Sequence, residues 1–145
     1  MIGLLQRVTE ASVRVDGEVI GRIGPGLLVL VGVQPDDTEA RCERLLERLL
    51  GYRVFEDEQG RMNRSLRDTG GGLLLVSQFT LAADTRSGTR AGFSTAAPPE
   101  LARDLFAWLV HRARQLHPDV ACGRFGADMK VALVNDGPVT FWLEA

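Results

Sequence analysis

The stretch LLVLVGV, Leu27 to Val33, is a short run without a polar side chain. Its length and β-branched content fit a central strand buried on both faces. A second apolar run, LLLVSQFTL from Leu73 to Leu81, follows three glycines, Gly70 to Gly72. Between the two, TEARCERLLERLLGY carries Cys42, Leu45, Leu46, Leu49 and Leu50 at helical spacing, with Arg41, Arg44 and Arg48 on the opposite face. Asp37 or Thr38 can N-cap that helix, and Gly51 can end it. Strand, helix and strand in this order predict an α/β fold.

Upstream, LLQRVTEASVRV alternates loosely and predicts a strand bulged near Ala11. Asp16-Gly17 predicts a hairpin turn, and Gly24 to Gly26 another turn. Downstream, RVFEDEQGRMN reads as a short strand and a turn. Residues 82–97 form a polar, Gly-bearing loop of a length that is often functional. Pro98 and Pro99 open a second helix whose stripe is Leu101, Leu105, Trp108, Leu109 and Arg112 or Ala113, and His117-Pro118 stops it. VACGRFGADMKVALV supplies one or two strands and PVTFWL the last. NDGPVT, Asn135 to Thr140, lies between two apolar runs and reads as a turn, because Asp-Gly favours turns and Pro cannot donate to a ladder. The expected architecture is a single α/β domain over residues 1–145, with a mixed or largely antiparallel sheet curled toward a barrel and flanked by two main helices.

The 145 residues are 45% hydrophobic and 25% charged, as in globular proteins, and the net charge of −2 gives no overall basic footprint for nucleic acid. Cys42 and Cys122 stand in no motif and read as reduced thiols, with no metal-ligand spacing. Arg7 and Glu10 fall too early for a signal peptide, and no apolar run approaches the ~18 residues of a membrane span. The expected location is cytoplasmic, with no cofactor, no metal, no membrane and no DNA partner.

The usual catalytic sets are missing. His111 falls inside the second helix and His117 at its end, and neither is paired by motif with Ser or Cys. The segment SQFT, Ser77 to Thr80, places polar groups at the end of an apolar strand. It is either a strand leaving the core or a site. Strand alternation would set Ser77 and Phe79 on one side and Gln78 and Thr80 on the other. Thr80 has no visible base beside it, while backbone N–H groups there could bind an oxyanion. In GRFGADM, Phe125 and Met129 could line a pocket or simply fill the core.

SQFT, GRFGADM and NDGPVT in this order, with VDGEVIGRIGPGLLVLVGV and FEDEQGRMNRSL upstream, closely resemble the D-aminoacyl-tRNA deacylase family from about Met1 to Trp142. The resemblance implies a homodimer that hydrolyses the ester between a D-amino acid and the terminal ribose of tRNA. It implies a catalytic segment at Ser77, Gln78, Phe79 and Thr80. It also implies a cis peptide at Gly137-Pro138 that enters the partner's pocket, with pocket residues Phe125 and Met129 and Arg7 near the Gly-Pro loop. Selection by exclusion of L side chains would leave glycyl-tRNA, including tRNA(Ala) mischarged with glycine, open to cleavage. With no paired His or Cys, the 2′-hydroxyl of the tRNA is the expected assistant. The rivals are a non-catalytic RNA- or nucleotide-binding dimer and a hydrolase of free D-amino-acid esters. For tRNA phosphates, Arg41, Arg44, Arg48, Arg53 and Arg64 are candidates. One departure stands out: where the family has Gly-x-Arg-Pro-Ser-Phe, residues 88–93 read GTRAGF, so Ala91 and Gly92 replace Pro and Ser.

Overall fold

In the computed structural model, which describes residues 1–145, the chain runs β1 (Ile2–Val15), β2 (Glu18–Ile23), β3 (Gly26–Gly32), α1 (Glu39–Gly51), β4 (Phe55–Glu56), β5 (Met62–Arg64), α2 (Leu66–Thr69), β6 (Gly72–Ser77), a 3₁₀ turn (Phe79–Ala82), α3 (Pro99–Leu116), β7 (Val120–Cys122) and β8 (Lys130–Glu144). The main sheet has the order β2-β1-β3-β6-β7, with β8 added on β1. Pairs involving β1 are antiparallel, and β3–β6 and β6–β7 are parallel, so the sheet is mixed.

The long first strand does the organising. Residues Ile2–Val8 pair with β3, Ala11–Val15 pair with β2, and β8 runs along nearly the whole length. The hairpin from β1 to β2 turns at Asp16 and Gly17, both at positive φ (51° and 82°), as a two-residue turn of the favoured hand requires. Curling brings β2 against β7. A Cβ on Gly21 would lie 2.9 Å from the Cys122 carbonyl oxygen, so the near-closure of the barrel depends on glycine there.

Both apolar runs are buried on two faces, as their composition demands. Leu27, Val29 and Val31 of β3 and Leu73 and Leu75 of β6 face a large core with Cys42, Leu45 and Leu49 of α1 and Leu105 and Leu109 of α3. The alternate residues Leu28, Leu74 and Val76 turn into a smaller core inside the barrel with Val8, Val13 and Ile23. Each such leucine is worth about 1.5–3 kcal/mol on burial.

Several expectations need correction. β6 ends at Ser77, and Phe79–Ala82 forms a 3₁₀ turn, so strand alternation does not govern the orientation of Ser77 to Thr80. NDGPVT is not a turn between two strands that fold back on each other. Its flanks are collinear halves of β8, and both pair with β1. Against β8 the register of β1 shifts between Val8 and Glu10, beside the expected bulge near Ala11, and again between Gln6 and Val8; against β2 it shifts at Val13/Arg14. α3 buries Ala102, Leu105, Phe106, Leu109, Val110 and Ala113, a stripe rotated from the expected one, with Leu101 and Trp108 half-buried at its margin. Thr38 is the N-cap of α1, while Asp37 accepts a 2.6 Å bond from the Met1 α-amino group. His117 is buried and its Nε2 lies 2.6 Å from the Gly71 carbonyl; a carbonyl only accepts, so Nε2 donates. No helix is long and apolar enough to cross a membrane.

Candidate functional site

The end of β6 opens a cavity of about 440 Å³. Val76 closes its floor from the inner core. Ser77, Gln78 and Phe79 form one wall, Pro99 and Ala102 at the start of α3 a second, and Phe125 to Met129 a third. The structure therefore brings Ser77, Gln78, Phe79, Phe125 and Met129 together. Thr80 does not line this cavity. It faces a neighbouring hollow bounded by Arg86 and Trp142, and its Oγ1 accepts a 2.6 Å bond from Gln78 Nε2 across the wall between the two.

Local physics explains why the chain turns here. The Gln78 N–H still donates to the Val31 carbonyl at 2.8 Å, the last ladder bond to β3. The chain then crosses over Gly32, where an added Cβ would sit 3.0 Å from Leu81 Cβ. That close crossing bends residues 79–82 into a 3₁₀ turn whose first N–H groups, at Phe79 and Thr80, have no acceptor within the turn. Neither group has a backbone acceptor outside the turn either.

Phe79 is 57% exposed, and its ring packs on Phe93 at 5.2 Å between centroids with the planes tilted by 46°, which ties the long loop to the cavity wall. The same loop is closed by backbone bonds between Asp84 and Gly92 (2.8 and 2.9 Å). Asp84 also takes a forked bond from Arg86 (2.9 and 2.8 Å). That guanidinium, with the Arg86 backbone N–H, holds the Asp84 carboxyl down at about 2. Main-chain atoms of residue 92 make the tie, so the loop closes without the Pro and Ser side chains that Ala91 and Gly92 replace.

Asp128 is the one carboxylate in the cavity lining, and it is exposed and paired with Lys130 at 3.3 Å. His111 is exposed on α3 beside Gln115. Cys42 is fully buried, and burial, reinforced by Asp37, pushes its thiol up to about 12. No group of three or more His, Cys, Asp or Glu converges as a metal site.

Gly137 and Pro138 lie elsewhere in the chain's own surface. In β8, Asn135 pairs opposite Val8 and Thr140 opposite Gln6, so Asp136, Gly137, Pro138 and Val139 stand opposite the single residue Arg7. The surplus residues leave the sheet as an exposed loop, and the Gly137-Pro138 peptide is cis. Its base is clamped by side chains: Val139 N–H donates to Asn135 Oδ1 at 3.1 Å, and Asn135 Nδ2 to Thr140 Oγ1 at 2.8 Å. Arg7 is 8% exposed and lies beneath, donating to the Asp136 carbonyl (3.0 Å) and the Val54 carbonyl (2.7 Å). Gly137 has φ +131°, and a Cβ there would meet Val139 at 2.8 Å and Arg7 at 3.1 Å. A side chain at that position would strain the backbone and force its neighbours to shift. Neither Gly137 nor Pro138 lines the cavity of its own chain.

Sequence reasoning missed Val76, Pro99 and Ala102 as lining residues, and Val54 and Asn135 as supports of the loop. Small residues at the opening of α3 were the available signal for Pro99 and Ala102. Among the arginines expected to meet phosphate, Arg41 engages Asp37, Arg48 donates to the Glu144 carbonyl, and Arg64 donates to the Asp68 carbonyl. Arg44 and Arg53 are exposed.

Residues 4–144 match the family model described as D-Tyr-tRNA(Tyr) deacylase. A protein of Thioalkalivibrio sulfidiphilus named D-aminoacyl-tRNA deacylase is 70% identical over 99% of this chain and 97% of its own. One of the same name from Stutzerimonas stutzeri is 66% identical over the full length of both. A solved structure described as a c-Myc DNA Unwinding Element Binding Protein superposes with TM-score 0.95 at 40% identity, over 100% of this chain and 99% of that one. Another, described as a probable eukaryotic D-amino acid tRNA deacylase, shares the fold at TM-score 0.87 and 17% identity, over 99% of this chain and 98% of that one.

Proposed function

The chain belongs to the D-Tyr-tRNA(Tyr) deacylase family and is a D-aminoacyl-tRNA deacylase, an ester hydrolase; from that premise we propose how it selects and cleaves its substrate. The protein acts as a homodimer in which Gly137 and Pro138 of one copy complete the cavity of the other. The observation that carries this reading is a separation. The cavity of Ser77 to Phe79, Phe125 and Met129 is not lined by the Gly-Pro loop of its own chain, while that loop projects from the sheet, clamped from below by Arg7. β8 pairs only with β1 and leaves Val134, Phe141 and Trp142 exposed on an edge strand, a surface that a second copy would cover.

In the completed site, main-chain carbonyls of the loop hold the α-amino group of the amino acid, and the rigid backbone excludes a side chain of L configuration. Sparing L-aminoacyl-tRNA by ~10⁴-fold needs about 5.5 kcal/mol, within reach of a steric block but beyond one ordinary hydrogen bond. Glycine has nothing to exclude, so glycyl-tRNA, including glycine mischarged on tRNA(Ala), is also cleaved. Cleavage itself uses the 2′-hydroxyl of the terminal adenosine to assist attack, while the Phe79 and Thr80 N–H groups stabilise the oxyanion. Thr80, held by Gln78, positions this turn and is not itself acylated. The work is proofreading of charged tRNA in the cytoplasm.

The test compares hydrolysis of D- and L-tyrosyl-tRNA, with a free D-tyrosine ester as control. Turnover of D-tyrosyl-tRNA alone supports the reading, and equal turnover of both enantiomers refutes it. Cleavage of the free ester at the same rate would favour a general D-ester hydrolase. A non-catalytic nucleic-acid-binding dimer, suggested by the description of the 40% identical structure, would bind nucleic acid and turn nothing over.

A further inference from the structure

A cation packed on the cavity lining has no part in the reaction scheme. Arg103 stands on α3 one residue after Ala102, which lines the cavity. Its Cζ lies 5.4 Å from the centroid of the Phe125 ring, itself part of the lining. Phe125 packs in turn on Phe106 of the same helix at 6.5 Å. The ring thus holds the guanidinium against the cavity lining at a distance typical of a cation–π pair.

What sets Arg103 apart is that its unspent donors come with a ring of the cavity lining beneath them; other arginines without a side-chain partner, such as Arg44 and Arg53, have no such contact. Arg86 is forked onto Asp84, Arg112 onto Glu43, and Arg41 reaches Asp37. Arg103 is exposed and takes part in no ion pair or hydrogen bond, although Glu100 and Asp104 are close by in sequence. Asp128 of the lining is held by Lys130 and leaves Arg103 unpaired. A planar fork with five free donors, restrained by an aromatic ring beside an apolar cavity, suits a phosphate or phosphodiester oxygen pair.

We propose that Arg103 determines affinity for the aminoacyl-tRNA by gripping a phosphodiester of the acceptor strand as it leaves the cavity. The proposal rests on the reading above, in which the cavity receives the terminal aminoacyl nucleoside. A nucleoside inside the cavity leaves its linking phosphate at the mouth, for the exposed guanidinium to hold. The Phe125 ring supplies the restraint, so little side-chain freedom is lost on binding.

The experiment measures kcat and KM for wild type, Arg103→Ala and Arg103→Lys on two substrates, D-tyrosyl-tRNA and D-tyrosyl-adenosine, which carries the ester but no phosphate. For Arg103→Ala, KM for the tRNA rises ~10-fold with kcat unchanged, and the constants for the nucleoside ester do not move. The slope of log KM against log salt for the tRNA falls by roughly 0.7–1. Arg103→Lys recovers part of the loss, since it keeps the charge and loses the fork. An equal loss on both substrates would mean that Arg103 only props Phe125, and no change on either would mean that it touches nothing; both overturn the proposal. A wild-type protein inactive on both substrates would overturn the functional reading and this proposal with it.

Discussion

Ser77–Ala82 and Asn135–Thr140 both interrupt a strand, and they do so in opposite ways. At Ser77 the ladder ends: β6 gives its last bond to Val31, and the chain coils into a 3₁₀ turn that opens a cavity. At Asn135 the ladder continues: β8 ejects Asp136 to Val139 and resumes pairing with β1 at Thr140. The first interruption makes a concave surface, and the second makes a projection clamped at its base. The cavity and the projection lie at separate places in one chain, which is the arrangement that the proposed pairing of two copies requires.

The largest effect is expected on the projection. Gly137→Ala places a Cβ at φ +131° against Val139 and Arg7, so the loop must shift. A displacement near 1 Å costs on the order of 10²-fold in activity. Hydrolysis of D-tyrosyl-tRNA should fall by that factor while circular dichroism stays native, and an unchanged rate would remove the loop from the site. Arg7→Lys should cost less. It cannot reach both the Asp136 and Val54 carbonyls, so about 1.5–3 kcal/mol is lost, read as a lower Tm and a ~10-fold slower reaction. On the cavity side, Phe79→Ala removes the ring packing on Phe93, worth about 0.5–1.5 kcal/mol, and loosens the loop of residues 83–97. Faster proteolysis within that loop is the expected readout, and a projection variant should not share it.

The smallest effect concerns pH. The folded-state value of Asp84, about 2, lies below the ordinary carboxylate value. Its contribution is therefore present above pH ~4 and is lost as pH falls toward the folded value. Asp84→Asn should flatten the acid limb of loop ordering with little change near pH 7, because the backbone bonds to Gly92 remain. Acid profiles that coincide for the two proteins would count against this.

The sequence shows why one interruption was easier to read than the other. LLVLVGV and LLLV are buried on both faces and are legible from composition alone. SQFT was legible as a place where polarity enters, but Phe and Thr suit strands well, and the turn is imposed by the crossing over Gly32, a contact distant in sequence. NDGPVT carries every local mark of a turn. Only its pairing with β1, more than a hundred residues away in the chain, reveals that the two flanking runs are collinear. The α2 helix was missed although Ser65 and Asp68 form a capping box with a sequence signature. The rotated stripe of α3 reflects Phe106 and Val110 turning inward where Leu101 and Trp108 were expected.

The most direct test of sharing between copies is complementation within one dimer. Gly137→Ala disables the projection, and Phe79→Ala with Phe125→Ala disables the cavity. Co-expressed in equal amounts with different tags, the two chains form heterodimers that contain one intact cavity facing one intact loop. If the site is built across the two-fold, the mixture should regain about a quarter of wild-type activity on D-tyrosyl-tRNA, because half the dimers carry one good site of two. If each chain builds its site alone, every site in the mixture contains a defect and activity stays at the level of the separate variants, which would contradict the account.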